Sequence, residues 1–282
     1  MPQPNPIVVA FQGEAGAYSE QAVRQHFGPD VKTLPCRTFN DAFHALQEHR
    51  ATHGMLPVEN TLAGTVTPVY DLLVDHDMYI QSEVIVKVEH CLMAPPGTKL
   101  EDIKYVKSHY QALGQCEQTL RRMKLEPITH YDTAGAARDL AEHPEPHTAA
   151  IASALAAKTY NLEILVHHLE DMDFNYTRFF VLDPTPPPRQ DPSKTSIIFT
   201  TRHVPGALYD VMTELAKEKV NMSKIESRPR RNRPWHYLFY VDIEGHQDDP
   251  NIQRALLGIL KRAAFLKVIG SYPAAELPGA HR

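Results

Sequence analysis

The sequence predicts an α/β protein in two parts, a pair of α/β lobes followed by a smaller α/β sandwich, and three observations carry that prediction. Short apolar runs alternate with amphipathic segments through the first part: Ile7 to Phe11 then Ser19 to Phe27, Met55 to Val58 then Val66 to Val74, Tyr105 to Lys107 then Ala112 to Met123. The stretch Asp183 to Ser193, DPTPPPRQDPS, places five prolines in eleven residues, which excludes helix and favours an extended, semi-rigid linker. Beyond it the chain reads strand (Thr195 to Thr201), helix (Gly206 to Lys217), strand (Val220 to Ser227), strand (Trp235 to Ile243), helix (Asn251 to Ala264) and strand (Phe265 to Ser271), the split βαββαβ order of a ferredoxin-like sandwich. The expected boundaries are residues 1–183, a linker over 184–193, and a second domain over 194–282.

The βα alternation of the first domain calls for parallel-rich sheets. In its middle, Met78 to Met93 (MYIQSEVIVKVEHCLM) reads as one long strand-like segment able to carry the chain from one lobe to the other. Two lobes place a ligand cleft between them.

Composition narrows the function classes. The 282 residues are 43% apolar, enough for cores, and 29 Lys and Arg against 34 Asp and Glu give a net charge of −5. That balance offers no general attraction to nucleic acid or to an anionic membrane. No run of about 18 apolar residues exists, and MPQPNPIVVAFQG has no basic n-region, so the cytoplasm is the expected location. Cys36, Cys91 and Cys116 fit neither a disulfide framework nor a C-x-x-C pair and are read as reduced and buried. Sixteen histidines give no metal site: His143 and His147 flank Pro144 and Pro146, and His167 and His168 are expected to face opposite ways on a strand.

Several segments cluster polar groups where apolar strands end. Gly13 to Ser19 (GEAGAYS) follows the first strand and opens a helix, so its backbone N–H groups could hold an anion, or it is a plain strand-to-helix turn. Pro57 to Val66 (PVENTLAGTV) puts Glu59, Asn60 and Thr61 at a strand's carboxyl end, where ligands sit in open α/β sheets, although Asn60 and Thr61 could equally cap a helix. Ser108 to Cys116 (SHYQALGQC) repeats the arrangement in the second lobe, with Ser108 as ligand group or N-cap and Gln115 on the helix. Ser108 and His109 make no nucleophile–base pair and no G-x-S-x-G elbow exists, which disfavours serine-hydrolase chemistry. Asp132 to Ala137 (DTAGAA) combines capping and small residues. Asn175 to Phe180 (NYTRFF) leads polar groups into a buried strand, and its Arg178 could fork onto an internal acid or a substrate carboxylate.

Taken in order, GEAGAYSE, PVENTLAGTV, SHYQALGQC, DTAGAA, AAIASALAA and NYTRFF closely resemble the segments of the prephenate and arogenate dehydratases, over about Ile7 to Tyr272. The terminal segment, with Gly206-Ala207-Leu208 and Glu226-Ser227-Arg228-Pro229, looks like their regulatory ACT domain. The resemblance implies a two-lobed catalytic domain of the periplasmic-binding-protein-like type, with no cofactor. It also implies loss of carbon dioxide and water from prephenate to give phenylpyruvate for phenylalanine synthesis. Thr177 would then serve the leaving hydroxyl, with Glu59 as a relay and Asn60, Ser108 and Gln115 orienting the substrate. Arg178, Thr61, Gly64 and Phe179 would bind it. Two positions depart from the family's common pattern, Tyr110 where many members have Pro and Ala17 where many have Thr or Ser, and Ala17 is excluded as a side-chain contact. The resemblance further implies feedback inhibition by phenylalanine, bound where two ACT domains meet in a homo-oligomer. Gly206 and Ala207 would hold its carboxylate, Leu208 its ring, Asn221 or Glu226 its ammonium, with Ser227 alongside. The lack of a chorismate mutase segment before Ile7 leads to the expectation of a monofunctional enzyme. Arogenate dehydratase and a non-catalytic amino-acid sensor are the alternatives. A dehydrogenase is disfavoured by the missing G-x-G-x-x-G.

Overall fold

A computed structural model describes residues 6–230 and 233–275. The chain runs through β1 (Val8–Gln12), α1 (Tyr18–Phe27), β2 (Lys32–Cys36), α2 (Phe39–Gln47), β3 (His53–Asn60), the two-residue β4 (Gly64–Thr65), α3 (Thr67–Asp75) and β5 (Tyr79–Lys87). It then enters β6 (Cys91–Ala94), β7 (Tyr105–His109), α4 (Tyr110–Gln115), α5 (Glu117–Met123), β8 (Glu126–His130), α6 (Thr133–Glu142), β9 (Thr148–Ala152), α7 (Ala154–Thr159) and β10 (Glu163–Val166), and returns through β11 (Tyr176–Asp183).

These strands form two sheets, one per lobe: β2-β1-β3-β11-β5 with β4 beside β3, and β10-β6-β9-β7-β8. β1 pairs in parallel with β2 and β3, and β7 with β8 and β9. Val9, Ala10 and Phe11 in β1 and Ala149 to Ala152 in β9 are wholly buried, as expected of strands covered by helices on both faces. α2 starts with a capping box in which Thr38 and Asp41 exchange side-chain and backbone hydrogen bonds.

Three expected elements differ. The Met78 to Met93 segment divides into β5 and β6, which lie in different sheets, so residues 88–90 are a crossover between lobes; residues 167–175 make the return. The two crossovers bond to each other through Val88 N–H to the Asn175 carbonyl (2.8 Å) and Leu169 N–H to the His90 carbonyl (2.9 Å). The expected helix Ala112 to Met123 breaks at Cys116, because the Asp171 carboxylate accepts from Gln118 N–H and Thr119 N–H and so starts α5 afresh. The strand expected to hold His167 and His168 ends at Val166.

The C-terminal elements are β12 (Ser193–Thr201), α8 (Ala207–Lys217), β13 (Met222–Arg230), β14 (Arg233–Glu244), α9 (Pro250–Arg262) and β15 (Ala263–Pro273). Their antiparallel order β13-β14-β12-β15 is that of the expected ferredoxin-like sandwich. Ile197, Phe199 and Val241 of the sheet pack against Val211, Leu215, Ile252 and Ile259 of the two helices.

By its contacts the described chain divides into one unit of residues 6–69 and 84–180, and another of 70–83 and 181–275. The first holds the two lobes apart from residues 70–83, which include most of α3 and the start of β5, and the end of β11. In the second, Lys267 donates to the Leu73 and His76 carbonyls at the end of α3 (3.2 and 2.7 Å), where a cation complements the helix dipole. Lys194 pairs there with buried Glu83 at 2.8 Å. Among the described residues no helix is long and apolar enough to cross a membrane.

Candidate active site

A cleft of about 670 Å³ opens between the two lobes of the first unit. The carboxyl ends of β1, β3, β7 and β8 and the start of β11 all deliver side chains to it: Gln12, Asn60, His109, Asp132 and Thr177. The first crossover lines it with Val88 and His90, as do Tyr110 and Tyr131, both exposed.

Asn60 organises part of this lining. Its Oδ1 accepts from the backbone N–H groups of Leu62 (3.0 Å) and Ala63 (2.8 Å), so its amide orientation is fixed by donors that cannot be reversed. Nδ2 therefore donates, to Asn175 Oδ1 at 2.8 Å, the Tyr176 carbonyl at 3.1 Å and Thr177 Oγ1 at 3.0 Å. Thr177 accepts in this bond, and its own hydroxyl proton is not used by it.

The chain of hydrogen bonds runs on into the second lobe. With Asn175 Oδ1 accepting, Asn175 Nδ2 donates to Gln115 Oε1 (2.9 Å), which also lies 2.8 Å from His90 Nε2. His90 Nδ1 lies 2.8 Å from the Tyr18 hydroxyl, itself 2.8 Å from the Glu89 carbonyl. His90 is almost wholly buried, and that burial lowers its pKa, outweighing the Gln115 bond and nearby Glu170 that favour the cation.

The second lobe also grips the first near the cleft. Arg138 pairs with Glu14 at 2.8 Å, Tyr131 donates to Glu14 at 3.0 Å, and the Ser153 and Tyr160 hydroxyls donate to the carbonyls of Gly16 (2.6 Å) and Ala15 (2.8 Å).

Comparison with known proteins identifies what kind of cleft this is. The family model described as "Prephenate dehydratase" matches residues 9–187, and the one described as "ACT domain" matches residues 195–260. The chain belongs to the prephenate dehydratase family. It is 40% identical to "Arogenate dehydratase/prephenate dehydratase 1, chloroplastic" of Arabidopsis thaliana, over 95% of this chain and 72% of that one. A solved prephenate dehydratase from Arthrobacter aurescens in complex with L-Phe superimposes with a TM-score of 0.86 at 30% identity, covering 94% of this chain and 89% of that chain. A structure described as "GqqA- a novel type of quorum quenching acylases" gives 0.88 at 37% identity, covering 95% and 98%.

Within this dehydratase-family cleft the expected residues are distributed unevenly. Asn60, Gly64, Gln115, Thr177 and Phe179 line it together. Glu59 and Arg178 do not: each neighbours a cleft residue on a strand, whose successive side chains alternate faces. They pair with each other at 3.6 Å, and the Arg178 guanidinium stacks 4.8 Å from the Phe180 ring centre. Ser108 is fully buried, donating to the Ile151 carbonyl at 2.6 Å, and the helix it was expected to cap is capped by His109. Thr61 ties β3 to β11 instead, donating to the Phe174 carbonyl and accepting from Tyr176 N–H. The GEAGAYS turn holds an anion of its own, since Gly16 N–H donates to buried Glu20 at 2.6 Å. Ala17, excluded as a contact, contributes its methyl to the cleft wall. Tyr18 and Asp132, within segments that the sequence marks without giving either side chain a role, also line the cleft, as does His90, whose available signal is an imidazole between two apolar runs.

In the C-terminal sandwich a second cavity, of about 460 Å³, lies around the start of α8 and includes Gly206, Ala207 and Leu208. Gly206 takes a left-handed conformation (φ 80°) as the N-cap. Asn221, Glu226 and Ser227 do not line this cavity.

Three histidines, His26, His90 and His109, have pKa values lowered chiefly by burial. The unfolded chain takes up these protons first, so stability falls as pH drops through the unfolded value of about 6.5. Half-buried Asp132, with its pKa raised by desolvation, acts in the opposite sense at lower pH, where protonation relieves that desolvation. Urea titrations should give a midpoint that decreases from pH 7.5 to 5.5, with a shallower decrease for His90→Gln. A wild-type midpoint independent of pH over that range would contradict the lowered histidine values.

Proposed function

We propose that the chain catalyses the decarboxylating dehydration of prephenate to phenylpyruvate, carbon dioxide and water, under feedback control by phenylalanine through its ACT domain. The observation that supports this reading is the Asn60–Thr177 hydrogen bond, in which Thr177 Oγ1 accepts, so that this cleft-lining hydroxyl keeps its own proton for another acceptor. Loss of the ring carboxylate as carbon dioxide and of the ring hydroxyl as water aromatises the ring, so the chemistry supplies its own driving force. Thr177 donates to the departing hydroxyl. Its hydroxyl is too weak an acid to act unaided, and with Glu59 facing away, water in the cleft is the relay. Gln115 and Asn60 orient the substrate and Phe179 and Gly64 shape its pocket, in a site that works chiefly by positioning.

The same proposal assigns residues 1–183 to catalysis, 184–193 to the linker and 194–282 to regulation. Phenylalanine binds at the N-terminus of α8 around Gly206, Ala207 and Leu208, with Asn221, Glu226 and Ser227 completing the site where two ACT domains of a homo-oligomer meet. The relative solved with L-Phe supports that effector. Inhibition then requires phenylalanine to favour a state in which the cleft is misaligned for substrate.

The test is phenylpyruvate formation from prephenate, with arogenate in parallel and phenylalanine added. Turnover of prephenate exceeding that of arogenate, and suppressed by phenylalanine, is the expected result; rates unmoved by saturating phenylalanine would remove the regulatory half. A second reading, acyl-amide hydrolysis, draws on the 37% identical acylase structure. An N-acylated amide supplied as an alternative substrate distinguishes the two.

A further inference from the structure

We infer that His90 and Asn175, one on each crossover, are positioning residues that hold the Gln115 carboxamide with its NH2 group toward the cleft, and so set the polarity with which the site meets its substrate. The inference rests on the dehydratase reading for the substrate's identity and on hydrogen-bond directions for the rest. The Leu62 and Ala63 N–H groups fix Asn60, Asn60 makes Asn175 Oδ1 an acceptor, and Asn175 Nδ2 must then donate to Gln115 Oε1. An amide oxygen only accepts, so His90 Nε2, 2.8 Å away, carries a proton and donates to the same atom. On the neutral ring Nδ1 is then bare, an acceptor 2.8 Å from the Tyr18 hydroxyl, whose single proton it shares with the Glu89 carbonyl, also 2.8 Å away.

With both donors on Oε1, Gln115 presents two N–H bonds to the cleft it lines. A dicarboxylate substrate needs donors at that place. A reversed amide would set its oxygen against the substrate's oxygens and turn attraction into repulsion. His90 does this from a crossover, touching Tyr18 of the first lobe and Gln115 of the second, so the amide is aligned by the same segment that joins the lobes.

The acceptor that Gln115 engages exists before and during the reaction, so misorienting the amide weakens ground and transition states alike and is read in KM. His90→Leu removes the donor, whereas His90→Gln keeps an N–H near the position of Nε2. We expect KM for prephenate to rise about tenfold or more in His90→Leu with kcat within a few-fold, and to stay within about threefold of wild type in His90→Gln. A folded His90→Leu enzyme with unchanged KM overturns the inference, as does a His90→Gln enzyme impaired as much as His90→Leu. Should His90→Leu fail to fold, the ring nitrogens of His90 in the wild type are read by 15N NMR: protonated Nε2 with bare Nδ1 supports the inference and the opposite tautomer overturns it. A wild type that turns over neither prephenate nor arogenate overturns the dehydratase reading itself, an outcome distinct from an active wild type with an unmoved His90→Leu.

Discussion

Thr177→Val lowers kcat for prephenate by a factor of about 10² to 10⁴, the usual range for removing a proton donor from a transition state, while KM changes little. The substitution keeps the β-branched shape that suits β11 and removes one hydroxyl. Asn60 loses one of three acceptors and retains the Asn175 Oδ1 and Tyr176 carbonyl bonds, so the folding cost is about 1 kcal/mol. The loss falls on kcat because charge on the ring oxygen develops only as its bond to carbon breaks, and a donor aimed at that oxygen is worth most then. Thr177→Ser keeps the Oγ and should stay within about tenfold of wild type. Steady-state kinetics on the three proteins, with urea midpoints to certify the fold, decide the matter. A Val variant with wild-type kcat would assign the proton to another donor, and the whole catalytic assignment would move with it.

The relation between the two neighbours Thr177 and Arg178 explains how much of this site could be read from sequence. Apolar runs closed by polar clusters mark where β3 and β7 meet the cleft, because open α/β sheets bring ligands to the carboxyl ends of strands, and a polar cluster opening an apolar run marks the start of β11. The identity of the cleft-facing residue within each cluster follows from strand alternation: Asn60 faces in and Glu59 out, Thr177 in and Arg178 out. The residue types alone pointed to all four, since a carboxylate and a guanidinium look as chemical as an amide and a hydroxyl. The βαββαβ order of the C-terminal part was legible for a simpler reason, in that each of its elements carries its own periodicity and the proline-rich stretch separates it from what precedes. Alignment of His90 with Gln115 and of Asn60 with Asn175 was beyond local reading, because those partners meet only once both crossovers and both sheets are in place. The break at Cys116 has the same origin: the anion that starts α5 is Asp171, supplied from the distant return crossover.

Gly16→Ala should be the most damaging conservative change in the catalytic unit, destabilising it by about 2–5 kcal/mol. Two terms add. Gly16 sits at φ +84°, a conformation that costs an L-residue about 1–2 kcal/mol. A Cβ there would also lie 2.6 Å from Ala156 Cα and 3.1 Å from Ala156 N, which are backbone atoms of α7 that cannot swing aside, and overpacking of that kind costs about 1–3 kcal/mol. The close approach is what lets Ser153 reach the Gly16 carbonyl and Tyr160 the Ala15 carbonyl, so pushing α7 away loosens the grip of the second lobe on the first. Gly64→Ala separates the terms, since Gly64 has a similar φ of +79° with nothing within 4 Å of the added atom. It should lose only the conformational part, about 1–2 kcal/mol. Urea midpoints of the two variants give the comparison directly: a clear excess for Gly16→Ala measures the contact with α7, and equal midpoints would mean that the glycine is required for its backbone angle alone.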